Sequence, residues 1–241
     1  MLRLKQLLVF VLLLNISAAY ALPKSVQLEY DVARDGKLFA RVKESFTQNG
    51  KQYHVQSITK GVGIYALLGE RNLTSTGAVT NTGLKPSQFE LRQGKNDSKT
   101  LIADFDWANN TLTMQKKDEK LTEKLQAGTQ DLASYAYQFM FSLPQKNENQ
   151  SDDIEVVLTT GKKLNTYQYK VVARGIKTEV GNTSYKTLQL SNQAEIDKTK
   201  TGQEKKQLWL AQDQFYLPVR YEQTDDNGNT YVQTLTKIHV E

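Results

Sequence analysis

The chain has 241 residues, no cysteine, and 31 Lys and Arg against 26 Asp and Glu, for a formal net charge of +5. That length suits one sizeable all-β domain or two small ones. Either must stand on its hydrophobic core, without disulfides, a thiolate metal site or a cysteine nucleophile. Basic residues are scattered among acids, as in Lys116-Lys117-Asp118-Glu119-Lys120, so the coherent basic stripe of a nucleic-acid binder is missing.

The chain opens on Arg3 and Lys5, an apolar run from Leu7 to Leu14, and Ala19-Tyr20-Ala21. A positive start, a short apolar run and small residues at the cleavage positions predict a secretory signal peptide over 1–21, with the mature chain starting at Leu22. The run is shorter than the roughly 20 residues needed to span a bilayer, and Asn15 and Ser17 interrupt it. No cysteine follows for acylation and no second stretch of spanning length occurs. The expectation is a periplasmic protein with no stable membrane span after cleavage. The lack of disulfides points to bacterial export.

Alternation then dominates. Leu28, Tyr30 and Val32 face one way and Glu29 and Asp31 the other; Asp35-Gly36 turns the chain, and Phe39, Arg41, Lys43 and Ser45 begin a return strand. Asn49-Gly50 makes the next turn before Tyr53, Val55 and Ser57. Asp-Gly and Asn-Gly favour hairpins because both turn positions need positive φ. Further strands are predicted at 88–93 after a turn at 83–86, then at 101–107, 111–117, 154–159, 166–173, 186–192, 206–211, 217–224 and 231–239. The charge run at 116–120 reads as a solvated hairpin face.

One segment breaks this period. Leu132, Tyr135, Ala136, Phe139 and Leu143 recur at helical spacing, with Thr129 or Asp131 able to cap the start and Pro144 at the end. This predicts a helix over about 129–143, its apolar stripe against the concave side of the sheet. The polar stretch 145–153 reads as a link between two halves, and 197–205 as a hairpin tip. The predicted fold is mainly β: a curved antiparallel sheet or open β-barrel with one inserted helix, built as a single domain over 22–241.

Catalytic motifs are scarce. His54 and His239 are the only histidines and both sit in strand patterns; no nucleophile elbow, phosphate-binding glycine loop or His-Glu-x-x-His helix occurs. Asp104 and Asp106 share a strand face, and Asp152-Asp153 and Asp225-Asp226 lie in turn-like segments; a hydrolase of envelope polymers would use Asp104 or Asp106. Asp225 to Asn229 resembles part of a calcium loop, lacks the closing Glu, and reads as a hairpin turn. No catalytic residue, metal or cofactor is assigned.

Several short blocks recur in a characteristic order. Ser75-Thr76-Gly77 precedes Gly83-Leu84-Lys85-Pro86-Ser87-Gln88-Phe89, then come Phe105-Asp106 and Gly128-Thr129-Gln130-Asp131-Leu132-Ala133-Ser134. Trp209-Leu210-Ala211, Tyr216-Leu217-Pro218-Val219-Arg220-Tyr221-Glu222 and Asp226-Asn227-Gly228 close the series. In this order the chain resembles the bacterial domain-of-unknown-function 3108 family, which implies an exported envelope protein without an assigned activity. Its Trp-to-Gly ending is also similar to periplasmic lipoprotein carriers and their outer-membrane receptors. Those are incomplete barrels with helices over an apolar cavity. This chain departs from them in having one short helical segment and no cysteine for an anchor. Read from the residues alone, Pro86 and Pro218 suit bulges or edges, and Trp209 and Tyr221 have the bulk to fill a concave side.

The span Gly61 to Gly69 crowds Val62, Ile64, Tyr65, Leu67 and Leu68 between glycines. It reads either as a kinked core strand or as an apolar flap at a barrel mouth. The candidate ligand contacts are therefore Tyr65, Leu67, Leu68, Tyr135, Phe139 and Trp209. The functional expectation is a non-enzymatic binding or envelope-maintenance protein with an apolar or lipid-like ligand. The alternative is an interaction module that pairs an edge strand with another envelope protein.

Overall fold

The computed structural model describes residues 22–94, 97–144, 153–192, 205–225 and 227–241. The expected leader, the 145–153 link apart from Asp153, and the 197–205 tip apart from Lys205 lie outside the described residues. In chain order the elements are β1 (Ser25–Arg34), β2 (Lys37–Asn49), β3 (Gln52–Gly61), β4 (Arg71–Thr80), β5 (Gly83–Gln93), β6 (Leu101–Asp106), β7 (Thr111–Lys116), β8 (Glu119–Lys124) and β9 (Gln130–Asp131). Helix α1 (Tyr135–Ser142) follows, then β10 (Asp153–Thr159), β11 (Leu164–Val180), β12 (Thr183–Asn192), β13 (Lys205–Ala211), β14 (Leu217–Thr224) and β15 (Thr230–Val240). A 3-10 turn, Gly63–Leu68, joins β3 to β4.

All fifteen strands form one sheet. β1 pairs with β15 in its middle; β2 to β8 wind outward on one side and β14 back to β9 on the other. Pairing is antiparallel throughout except for the short parallel contact of β9 with β10. The sheet curls until its two arms meet. Thr159 Oγ1 donates to Met114 Sδ at 3.2 Å, and Gly161, between β10 and β11, lies against Phe89 and Leu101. A Cβ at Gly161 would come within 3.0 Å of the Leu101 Cβ, so the close approach of the arms needs a glycine there. This is a bowl closed by side chains rather than by a continuous ladder.

Alternation fixes which residues line the bowl. Val26, Leu28 and Tyr30 of β1, Ala40, Val42 and Phe46 of β2, and Tyr53 and Val55 of β3 are buried on its inner side. Each valine, leucine or phenylalanine among them contributes about 1.5–3 kcal/mol by leaving water. A second cluster joins Ile154, Tyr169, Leu188, Leu190, Leu208 and Leu210. Both prolines expected at bulges are found there. Pro86 follows the register shift at Thr76/Gly77, and Pro218 the one at Trp209/Leu210.

Three expectations change. The turn expected at 83–86 belongs to β5, because the chain reverses at 81–82 instead. Strands β4 and β8 were not predicted: β4 carries Arg71, Ser75 and Gly77 on its inward phase, and β8 is exposed along its whole length. The helix is shorter than 129–143, because Gln130 and Asp131 are committed to pairing with β10. The Asp131 carboxylate then accepts hydrogen bonds from Ala133 N and Ser134 N at 2.8 and 2.9 Å, turning the chain into α1.

Helix α1 lies inside the bowl and is buried on several faces. Tyr137, Met140 and Phe141 join the larger cluster, and Phe139 and Leu143 the smaller one. Gln138 latches it to the sheet, accepting from Leu84 N at 2.7 Å and donating to Thr82 O at 2.9 Å. The Gln138 amide occupies the place a Cβ on Gly83 would need, and Gly83 has a φ of +120°.

Candidate functional site

Polar residues interrupt the apolar inward phase of three neighbouring strands. On β2, Val42 is followed at the next inward position by Glu44; on β3, Val55 is followed by Ser57 and Thr59; on β4, Arg71 precedes Leu73. Together with Tyr221, Gln223 and Gln233 these residues surround a partly enclosed cavity of about 240 Å³. Its apolar lining comes from Val42, Leu73, Leu208 and Pro218, and helix α1 with the turn before it contributes Leu132, Ala133, Tyr135 and Ala136.

Glu44 is held on this wall by Ser57, whose hydroxyl donates to Oε1 at 3.0 Å, and by a long 3.5 Å contact from the Tyr137 hydroxyl to Oε2. Burial raises the Glu44 carboxyl above its ordinary value, and those two donors pull part of the way back. Burial, with the Glu44 charge added, pushes the phenols of Tyr30, Tyr135 and Tyr137 up as well. The Tyr30 hydroxyl reaches past β15 to donate to Pro218 O on β14 at 2.8 Å. Arg71 has its guanidinium lowered by burial alone.

The chain leaves the sheet next to this cavity. Thr59 and Arg71 are cross-strand partners and both line the cavity, so residues 62–70 leave the sheet directly beyond it. In that turn Ile64 is 76% exposed, Leu67 91% and Leu68 62%. Tyr65 is half-buried, its ring 4.5 Å from that of Phe39, which in turn meets Tyr231. The segment is therefore neither a strand nor core; it is an apolar lip.

The six predicted contacts separate accordingly. Tyr135 lines the cavity, and Tyr65, Leu67 and Leu68 form the lip. Phe139 does not reach the cavity: it points into the second core cluster, packed edge-on against Tyr135. Trp209 does not reach it either. The alternation of β13 turns Leu208 and Leu210 inward, and Trp209 lies on the opposite face with the Arg220 guanidinium 5.2 Å from its ring centroid. Glu44, Ser57, Arg71, Gln223 and Gln233 were missed. Their signal is a polar residue on the inward phase of a strand, and on β2 the alternation of Phe39, Arg41, Lys43 and Ser45 points to the other phase.

The remaining candidates are surface features. Asp104 and Asp106 are exposed; Asp104 accepts from Gln88, and Asp106 holds the following turn through Ala108 N and Asn109 N. His54 is exposed, and the His239 ring lies 2.8 Å from Glu241 Oε1. The Asp225 carboxylate folds the β14–β15 turn by accepting from Asn227 N and Asn229 N.

Comparison with known proteins gives the family and the fold. Residues 27–236 match a family described as proteins of unknown function, DUF3108. The chain belongs to that family. No curated protein matches the DUF3108 chain. It is similar in structure to a β-barrel-like protein of the domain of unknown function DUF1849 from Brucella abortus. The TM-score is 0.52 at 10% identity, over 91% of this chain and 99% of that one. At such low identity the likeness is one of fold. No helix among the described residues is long and apolar enough to cross a membrane.

Proposed function

We propose that this DUF3108 protein is an exported, non-enzymatic binding protein that seats the polar end of a small amphiphile in its bowl. The observation that carries this is the junction of a mixed cavity with an apolar lip. Glu44, Arg71 and Gln223 line the first, and Ile64, Leu67 and Leu68 stand exposed on the second. The cavity, at about 240 Å³, falls below the roughly 300 Å³ at which pockets begin to enclose a whole drug-sized ligand. It suits a headgroup, with the apolar remainder leaving along the lip. Exposed apolar patches of this kind mark binding surfaces. Export rests on the leader pattern of residues 1–21.

The edge-strand alternative has less support. β8 ends the sheet, but Glu119, Lys120, Glu123 and Lys124 stud it with charge, a pattern that blocks pairing with another chain. A hydrolase built on Asp104 or Asp106 lacks a cleft, because both lie on the outer face.

Native mass spectrometry of the protein purified from a bacterial periplasm tests the proposal. The expected result is a co-purifying amphiphile that dissociates on activation. A bare chain whose melting temperature no added amphiphile raises would overturn it.

A further inference from the structure

Arg71 is unlike every other arginine of known position in this protein. Arg34 meets Asp35 and Asn229, Arg41 meets Asp31, Arg92 meets Glu90, and Arg220 meets Glu222; Arg174 is also engaged. Among the described residues the Arg71 guanidinium forms no hydrogen bond or ion pair, although it faces inward beside Leu73. Guanidinium stays charged at any physiological pH and offers five donors in a planar fork. Withdrawing such a charge from water without a partner is costly, so a fold that keeps one in a cavity gains most when an anion meets it.

We propose that Arg71 is the anchor for an acid group, a carboxylate or a phosphate, at the polar end of the ligand. This rests on the binding reading above and specifies its chemistry. Glu44 lines the same cavity without forming an ion pair with Arg71, and Ser57 and Tyr137 both donate to it. It retains acceptor capacity for a hydroxyl or ammonium on the same headgroup. The neutral parts of the lining, Thr59, Gln223 and Gln233, supply both donors and acceptors around the acid.

Isothermal titration calorimetry on the mature chain with decanoate, decyl phosphate, decanol and inorganic phosphate tests this. Decanoate or decyl phosphate is expected to bind at least about tenfold tighter than decanol, the size of effect a charge-assisted bond carries. Arg71→Gln should erase that preference and leave decanol binding unchanged. Arg71→Lys should keep part of it, since the charge remains and the fork is lost. Arg92→Gln, at an exposed arginine, should change nothing. Equal binding of decanol and the acids, or a preference that survives Arg71→Gln, overturns the anchor while leaving amphiphile binding intact. Failure of all three decyl compounds overturns the binding reading itself. Arg71-dependent binding of inorganic phosphate without the decyl compounds supports an anion site and overturns the amphiphile.

Discussion

Asp131 and Glu44 are two acids inside one bowl, and their surroundings differ. Asp131 is fully enclosed and fully engaged: Ser75 Oγ donates at 2.6 Å, Ala133 N and Ser134 N donate to its other oxygen, and the Tyr53 hydroxyl backs Ser75 at 2.9 Å. Glu44 borders open space, holding one good hydrogen bond and one long one. An enclosed acid with every partner in place is a structural joint, here tying β4 to the start of α1. An acid facing a cavity with acceptor capacity to spare is a recognition group. Mutations at the two positions should therefore diverge, the first in stability and the second in binding.

The largest effect is expected at the joint. Asp131→Ala leaves the Ser75 hydroxyl and two buried amides without their acceptor, at about 1–3 kcal/mol for each unsatisfied group. Relief of the buried charge offsets part of this, leaving a loss of about 3 kcal/mol or more. Urea denaturation should show it as a lower midpoint at unchanged slope. A loss under about 1 kcal/mol would remove the distinction between the two acids.

The same joint makes stability depend on pH. Burial pushes the Asp131 carboxyl from 3.8 up to about 6, and the three donors keep it from rising further. Between those values the folded protein holds a proton that the unfolded chain has released. Stability is therefore full below about pH 4 and falls as pH rises through 6. At about 1.4 kcal/mol per pKa unit, the fall is about 3 kcal/mol. Glu44, also raised, adds a fall of the same sign. Asp131→Asn keeps an acceptor for the two amides and cannot ionise, so its profile from pH 4 to 7 should be flatter than that of the parent. An identical slope in both proteins would show that Asp131 ionises normally.

What the sequence disclosed and what it hid follow the same division. Positions where alternation and turn chemistry agree, such as Leu28 and Tyr30 before Asp35-Gly36, were legible because one-sided burial and positive φ leave a local mark, whereas the turn expected at Asn49-Gly50 lies one residue later, at Gly50-Lys51, with Asn49 paired in β2. Strand β4 was not legible, because Arg71, Ser75 and Gly77 occupy its inward positions and break the apolar alternation. The break serves both acids: Arg71 lines the cavity beside Glu44, and Ser75 donates to Asp131 at the joint. Trp209 misled for the opposite reason. Its size suggested the inner face, but phase is set by Leu208 and Leu210, and bulk alone carries no phase. The meeting of Gly161 with Phe89 and Leu101, far apart in sequence, leaves no local mark at all.

Glu44→Gln sharpens the comparison from the other side. The amide keeps the acceptor used by Ser57 and removes a charge that burial disfavours. The melting temperature should move by less than about 4 °C, the shift about 1 kcal/mol produces in a domain of this size. Its direction should be upward at neutral pH, where the raised Glu44 carboxyl costs most to ionise. Ligand retention, measured by native mass spectrometry, should fall. A large drop in melting temperature would make Glu44 a second joint and leave the cavity without its recognition group.

The smallest stability effect belongs to the lip, where leucines repeat the contrast seen between the acids. Leu28 and Leu190 are buried and hold the two clusters together, whereas Leu67 and Leu68 stand in water. Replacing a buried leucine by a small residue costs about 2–5 kcal/mol, through lost transfer energy and the void left behind. An exposed one carries neither term, and surface substitutions usually fall within about 0.5 kcal/mol. The double variant Leu67→Ser with Leu68→Ser should then melt with the parent. What it should lose is hold on the apolar end of the ligand, seen as faster dissociation of the co-purified amphiphile while the acid preference set by Arg71 survives. A marked fall in melting temperature would mean that these leucines pack in solution, and the lip would be core after all.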